Sequence, residues 1–172
     1  MEFEEKTLKE NYLYKGKILN VRKDEIALPD GAPAIREVIE HSGGSAIYCE
    51  RDNKVLLVKQ FRYPYKEILY EIPAGKLNQG EEPETTALRE LEEEGGVKAE
   101  RVEKLFDVYP SPGYTDEVIR IYRAIGITDS VQRLDKDEFL TGEWLDKKTL
   151  VKMINEGVIK DGKTLIALLK ML

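Results

Sequence analysis

Fourteen consecutive residues, 81–94 (EEPETTALRELEEE), hold seven Glu against one Arg. This stretch limits the fold more than any other. Pro83 suits the first position of a helix, Ala87, Leu88 and Leu91 supply an apolar face, and Gly95-Gly96 supplies a stop, so the pattern predicts a helix over 83–95. Glu90, Glu93 and Glu94 then stand at i, i+3 and i+4 with their carboxylates on one face. Like charges at that spacing cost a helix about 0.2–0.5 kcal/mol per pair. A solvated acidic face is the plain explanation. Two details favour a cation site instead. The three acids adjoin the apolar face rather than oppose it. Just upstream, Glu71-Ile72-Pro73-Ala74-Gly75-Lys76 reads as a strand-to-loop junction whose Gly lets backbone approach a ligand. Hard oxygen donors crowded in this way suit Mg2+ or Mn2+, which keep water and also bind substrate phosphates.

Charge and composition narrow the class. The whole chain has 27 Lys and Arg against 33 Asp and Glu, a net charge of −6. All of that excess lies within 81–94, and the remainder is balanced, which is not the basic profile of a nucleic-acid binder. Apolar runs reach only a few residues, too short to span a membrane. The acidic opening, MEFEEKTLKE, lacks the apolar core of a secretory signal. With Cys49 as its single cysteine the chain has no internal disulfide, and a reducing, cytoplasmic setting is expected. At 172 residues it can bury one sizeable core.

Along the chain, residues 5–27 hold β-favouring stretches (Tyr12-Leu13-Tyr14 and Ile18 to Val21) broken by Lys15-Gly16-Lys17, which predicts a hairpin. Pro29-Asp30-Gly31 is a second turn. Strands are predicted at 34–41, 44–50, 54–61 and 67–73, the last ending at Pro73. Lys54-Val55-Leu56-Leu57-Val58 is apolar on both faces, as in a buried strand. After the acidic helix come strands near 101–109, 117–127 and 139–145 and helices near 147–156 and 161–171. Strands before and after a central helix read as an α+β or sandwich-like α/β/α domain.

The stretch 75–97, GKLNQGEEPETTALRELEEEGGV, resembles the Nudix box. Gly75 is followed after five residues by Glu81 and after seven more by Arg89-Glu90-Leu91, then Glu93-Glu94, Gly96 and Val97. The residue before Gly96, often Thr in that family, is Gly95. The resemblance implies an α/β/α sandwich around a mixed β-sheet, here with an N-terminal β-hairpin. It also implies hydrolysis of a nucleoside diphosphate linked to another group. By the same matching Glu90 and Glu94 are the main metal carboxylates, and Glu93 contributes directly or through water. The carbonyl of Ala74 is the backbone ligand, while Arg89 and Glu81 pair with acids of the box to hold loop and helix together. A metal there neutralises pyrophosphate charge and acidifies an attacking water. The base belongs on the loop Leu134-Asp135-Lys136-Asp137-Glu138-Phe139, where Lys136 stands at a position that is Glu in several relatives. Glu138 is the preferred base or further metal ligand, with Asp137 and Asp135 as alternatives.

Outside the box, Lys59-Gln60-Phe61-Arg62-Tyr63-Pro64 and Ser111-Pro112-Gly113-Tyr114-Thr115-Asp116-Glu117 resemble the ADP-ribose pyrophosphatase branch of that family. So do Pro112, fifteen residues after Val97, and Arg36-Glu37 ahead of His41. The branch implies that Arg62 contacts the diphosphate or adenine side, Arg36 a phosphate and Glu117 ribose hydroxyls. For Arg36 and Arg62 the alternative is a surface salt bridge, and for Glu117 a strand cap. Tyr12, Tyr14 and Tyr63 are candidates for stacking on adenine, or simply core. His41 is read as a turn hydrogen bonder and Cys49 as strand packing.

The expected activity is Mg2+-dependent hydrolysis of ADP-ribose to AMP and ribose 5-phosphate. The alternatives are a pyrophosphatase for another nucleotide sugar, such as GDP-mannose, and a non-catalytic Nudix-fold ligand sensor. The domain reading is an N-terminal β segment over 1–43 and a hydrolase domain over 44–172. The branch further implies a homodimer whose N-terminal strands build part of the partner's site. The apolar side chains Tyr12, Leu13, Tyr14, Ile18, Leu19 and Val21 agree with that, since a lone hairpin must pack on something.

Overall fold

The structure is a computed structural model describing residues 3–172, and Met1 and Glu2, the start of the acidic opening, lie outside the described residues. The chain forms two units. One joins the residues up to Gly43 with Tyr109–Val118, and the other joins Gly44–Val108 with Ile119–Leu172.

In the first unit the β-favouring stretch forms three strands, one more than the hairpin predicted from sequence. β1 (Lys6–Lys9) and β2 (Tyr12–Lys15) pair with successive parts of one edge of β3 (Leu19–Ala27). The β2–β3 pair is the predicted hairpin. β1 is an addition, because its four residues carry one large apolar side chain, Leu8, and no strand pattern. β4 (Pro33–His41) covers the other edge of β3 along its full length. Its turn is set by Asp30, whose Oδ1 accepts the Ala32 N–H at 2.9 Å, and by Gly31 at φ 87°. The segment Tyr109–Val118 is tied to β4: Ile39 donates to the Tyr114 carbonyl at 2.7 Å and His41 N–H donates to Asp116 Oδ1 at 2.8 Å.

The second unit runs β5 (Gly44–Tyr48), β6 (Glu50–Arg51), β7 (Lys54–Arg62), β8 (Glu67–Glu71) and β9 (Ala74–Lys76). Next come α1 (Pro83–Gly95), β10 (Val97–Val108), β11 (Ile119–Asp129), β12 (Leu140–Asp146), α2 (Lys147–Asn155) and α3 (Gly162–Met171). Strands β10-β11-β5-β9 make a mixed sheet in which only the β11–β5 pair is parallel. β12 and β7 make a second sheet, with β6 and β8 sharing the far edge of β7. β6 turns into β7 at Asp52 and Asn53, both at positive φ, as a tight hairpin needs. The run predicted as one strand to Pro73 is two. Proline has no N–H to continue the ladder on β7, so β8 stops at Glu71 and the chain resumes as β9 against β5.

Alternation along β5 and β7 sends residues to two faces. Ile47, Cys49 and Leu56 pack with Ala87 and Leu91 of α1. Ala46, Tyr48, Val55 and Leu57 pack with Leu150 of α2 and Ala167 and Leu168 of α3. The second unit is therefore an α/β/α sandwich with the acidic helix as one outer layer. Cys49 is fully buried strand packing, and burial pushes its thiol up to about 12.

Candidate active site

α1 runs from Pro83 to Gly95 and is capped by Gly96, which adopts φ 63° and returns its N–H to the carbonyls of Leu91 and Glu92. Gly95 is explained by packing. A Cβ there would stand 2.6 Å from Leu56 Cδ2, so the missing side chain lets the helix end settle on β7. The last carbonyls of α1 are capped from the loop after β11. Arg133 N–H donates to Glu93 O at 3.0 Å, Gln132 Nε2 to Glu94 O at 2.6 Å and Ser130 N–H to Gly96 O at 2.8 Å. That capping anchors the loop leading to Glu138 on the acidic helix.

The helix face carries the three glutamates. Glu94 is 3% exposed and its Oε2 accepts the Ala74 N–H at 2.9 Å. Burial, with the charges of Glu90 and Glu138 adding to it against the pull of the Ala74 amide and Lys163, pushes its carboxyl up to about 8. Glu90 is also buried, and burial together with Glu93 and Glu138 raises it despite Arg89. Arg89 is the organiser. Its Nη1 donates to Glu90 Oε1 at 2.6 Å and Glu93 Oε2 at 2.8 Å, while Nε and Nη2 grip Glu81 at 3.0 and 3.1 Å. Those bonds hold Glu81 down at about 2. Nη2 also reaches the Lys76 carbonyl at 3.3 Å, closing the loop between β9 and α1.

As placed, Glu90 and Glu93 face Arg89 and Glu94 faces an amide, so no three acidic, His or Cys side chains converge in metal-binding geometry among the described residues. The donor chemistry nevertheless fits a hard divalent cation. Two neighbouring carboxylates are buried, Glu90 raises Glu94, both feel Glu138, and all the donors are oxygens. To bind one, Glu90 and Glu93 must leave Arg89. Glu138 makes a tight loop turn with Asp135, its N–H donating to the Asp135 carbonyl at 3.0 Å. Its charge bears on both buried glutamates.

Beside this face lies a second network that sequence reading missed. Arg62 forks onto Glu71 through Nε at 2.6 Å and Nη2 at 2.7 Å. Glu71 is 2% exposed while the Arg62 side chain is partly exposed, so a buried acid is paired with an arginine that still reaches the surface. Lys163 Nζ also donates to Glu71, and to Asp161 Oδ1 at 3.1 Å. Burial would raise Glu71, but the Arg62 and Lys163 bonds outweigh it and hold it at about 2. Asp161 caps α3 by accepting Thr164 N–H at 3.0 Å, and Thr164 Oγ1 accepts the Ile72 N–H at 2.9 Å. In the sequence, residues 161–164 read only as the start of the helix expected near 161–171.

The remaining expected contacts belong to the first unit. Arg36 is half-exposed and forks onto Glu5. Glu117 stands 3.4 Å from His41 Nδ1, which accepts the Gly43 N–H at 3.1 Å as a turn hydrogen bonder. Tyr12 gives its hydroxyl to Glu40 at 3.0 Å. Tyr14 is exposed there, as is Tyr63 in the second unit.

An α/β/α sandwich with a buried acidic strip on one outer helix defines the class, and comparison with known proteins identifies its members. A solved ADP compounds hydrolase matches the fold with a TM-score of 0.84 over 96% of this chain and 91% of that one, at 17% identity. The NUDIX domain family matches residues 40–168 and the nucleoside diphosphate sugar hydrolase N-terminal domain family matches residues 5–39. The chain belongs to the Nudix family. It is 38% identical to an ADP-ribose pyrophosphatase of Bacillus subtilis and 40% identical to a methanol dehydrogenase activator of Bacillus methanolicus. Each alignment spans 96% of this chain and 91% of the relative. A GDP-mannose pyrophosphatase of Yersinia enterocolitica is 36% identical over 78% of this chain and 75% of its own length.

Proposed function

We propose that the protein is a Mg2+-dependent hydrolase that splits the pyrophosphate of ADP-ribose into AMP and ribose 5-phosphate, with Mn2+ able to replace Mg2+. The observation that carries this reading is the pair of buried carboxylates Glu90 and Glu94 on α1, both raised by burial and by neighbouring acids. Similarity to the ADP-ribose pyrophosphatase of Bacillus subtilis over 96% of the chain supports the substrate.

In this reading Glu90 and Glu94, with Glu93 and the Ala74 carbonyl, hold the cation. When bound, the cation neutralises diphosphate charge and lowers the pKa of water. Glu138 accepts the proton of the attacking water as its oxygen bonds to phosphorus and the bridging oxygen leaves with the other phosphate. Arg62 spends Nε and Nη2 on Glu71. Its Nη1 donors remain for a phosphate oxygen, a planar fork set rigidly by the buried acid. Arg36 and Glu117 are assigned to a phosphate and to ribose hydroxyls. The substrate is a small nucleotide sugar, neither nucleic acid nor membrane, and the setting is cytoplasmic. Among the described residues no helix is long and apolar enough to cross a membrane.

We also infer a homodimer formed through the N-terminal strands, residues 1–43 being the dimer-forming segment and 44–172 the catalytic domain. Every residue of β1 and β2 is exposed, and Leu8, Leu13, Tyr14 and Ile18 are each more than half exposed. So much apolar surface on short strands favours a partner copy. Sedimentation of the full chain tests it, and a fully active monomer at micromolar concentration rejects it.

A coupled phosphate-release assay over nucleotide sugars, with and without Mg2+, tests the activity. ADP-ribose turnover that needs Mg2+ and falls by orders of magnitude in Glu94→Gln is expected. Faster turnover of GDP-mannose would favour the second reading, which rests on the Yersinia relative. No turnover of any nucleotide sugar would leave a ligand sensor.

A further inference from the structure

Ser45 sits in β5 with its side chain wholly enclosed and its hydroxyl without a hydrogen-bond partner among the described residues. It lies directly opposite Gly75 of β9 in an antiparallel pair. Such residues send their side chains to the same face, with Cβ positions about 4.5–5.5 Å apart. On that face a Cβ at Gly75 would fall on the carboxylate of Glu90. Two residues along β5, Ile47 packs with Ala87 and Leu91 of α1, so this face looks onto the acidic helix. The unpaired hydroxyl thus faces α1 beside the Glu90 carboxylate, whose Oε1 is held by Arg89. Buried polar groups nearly always have a partner. An alanine would fill almost the same space and leave nothing unpaired.

We propose that Ser45 is a positioning residue for Glu90. When that carboxylate turns from Arg89 toward a divalent cation, the Ser45 hydroxyl donates to it and holds the new orientation. The inference rests on reading α1 as the cation site. Hydrogen-bond partners of metal-binding carboxylates are worth roughly 10–100-fold in metal affinity.

The test measures Mn2+ binding to the full chain by electron paramagnetic resonance, and melting of the metal-free protein in chelator, for wild type, Ser45→Ala and Glu94→Gln. Ser45→Ala is expected to weaken Mn2+ binding about tenfold or more. Its melting temperature in chelator should stay the same or rise, because the lost hydroxyl had no partner. Unchanged Mn2+ affinity overturns the proposal. So does a lowered melting temperature in chelator, which would reveal a purely structural partner. Glu94→Gln separates the two levels. If it binds Mn2+ like wild type, the cation reading of α1 fails and Ser45 falls with it. If it loses Mn2+ while Ser45→Ala does not, only the Ser45 proposal fails.

Discussion

The carboxylate of Glu90 lies where a side chain at residue 75 would begin, so any side chain at Gly75 would displace that carboxylate from its place beside Arg89. Torsion plays no part, since Gly75 is not among the glycines at positive φ. The sequence suggested that this glycine lets backbone approach a ligand. What approaches is the chain's own glutamate. Gly75→Ala should push Glu90 off Arg89 and cost about 1–3 kcal/mol, as overpacking does. Gly113→Ala, where an added Cβ meets nothing within 4 Å, should stay within about 0.5 kcal/mol of wild type. Thermal melts of the two variants check both, and equal losses would reject the spatial argument.

Titration of Glu94 gives a pH dependence with a definite sign. Its carboxyl is raised from the ordinary 4.5 to about 8 in the metal-free fold, so between those values the folded chain binds the extra proton. Stability from this group is complete below 4.5 and is lost as pH rises toward 8. Glu71 and Glu81, held at about 2, act in the opposite direction and lose their contribution only as pH falls below the ordinary range. Denaturant melts in chelator from pH 5 to 8.5 should therefore show a decline that Glu94→Gln flattens. Mg2+ should oppose the decline and release a proton on binding near pH 7, measurable by calorimetry in buffers of different ionisation heat. A metal-free stability that is level across that range would contradict the burial of Glu94.

Segments with local terminators were the legible part of this fold. The acidic helix is predicted at 83–95 and found at Pro83–Gly95 because proline and glycine bound it, and α2 and α3 follow their Asp146 and Asp161 caps. β1 and β9 were not legible, since each is short and exists only through the edge it pairs with. The site divides in the same way. The glutamates of α1 are periodic within one helix and could be found by spacing. Glu71 and Lys163 are 92 residues apart, and neither carries a local sign of the other. Ser45 is a residue whose meaning depends wholly on register.

The loop carboxylates can be ranked by what they face. Glu138 adds its charge to both Glu90 and Glu94, whereas Asp135 and Asp137 are exposed. Glu138→Gln should lower kcat by roughly 100-fold or more with KM little changed, as loss of a general base does. Asp137→Asn should stay within about threefold, a surface change. Greater damage from Asp137→Asn would move the base along the loop.

Lys163 reaches the site from α3 and shares Glu71 with Arg62, so two cations converge on one buried acid beside Glu94. Lys163→Met keeps much of the side-chain volume but removes a charge that lowers the Glu94 carboxyl. Two consequences follow from that sign. The diphosphate meets a less positive surface, so KM for ADP-ribose should rise by up to about fivefold, because Lys163 Nζ is bonded to Glu71 and Asp161 and acts on the substrate through its charge alone. The Glu94 proton is also held to higher pH, so the acidic limb of the kcat/KM profile should move upward. Lys163→Arg should restore most of both, because it keeps the charge within reach of Glu71. A lower melting temperature with KM and the pH profile unmoved would assign Lys163 to the architecture of β8 and α3 alone.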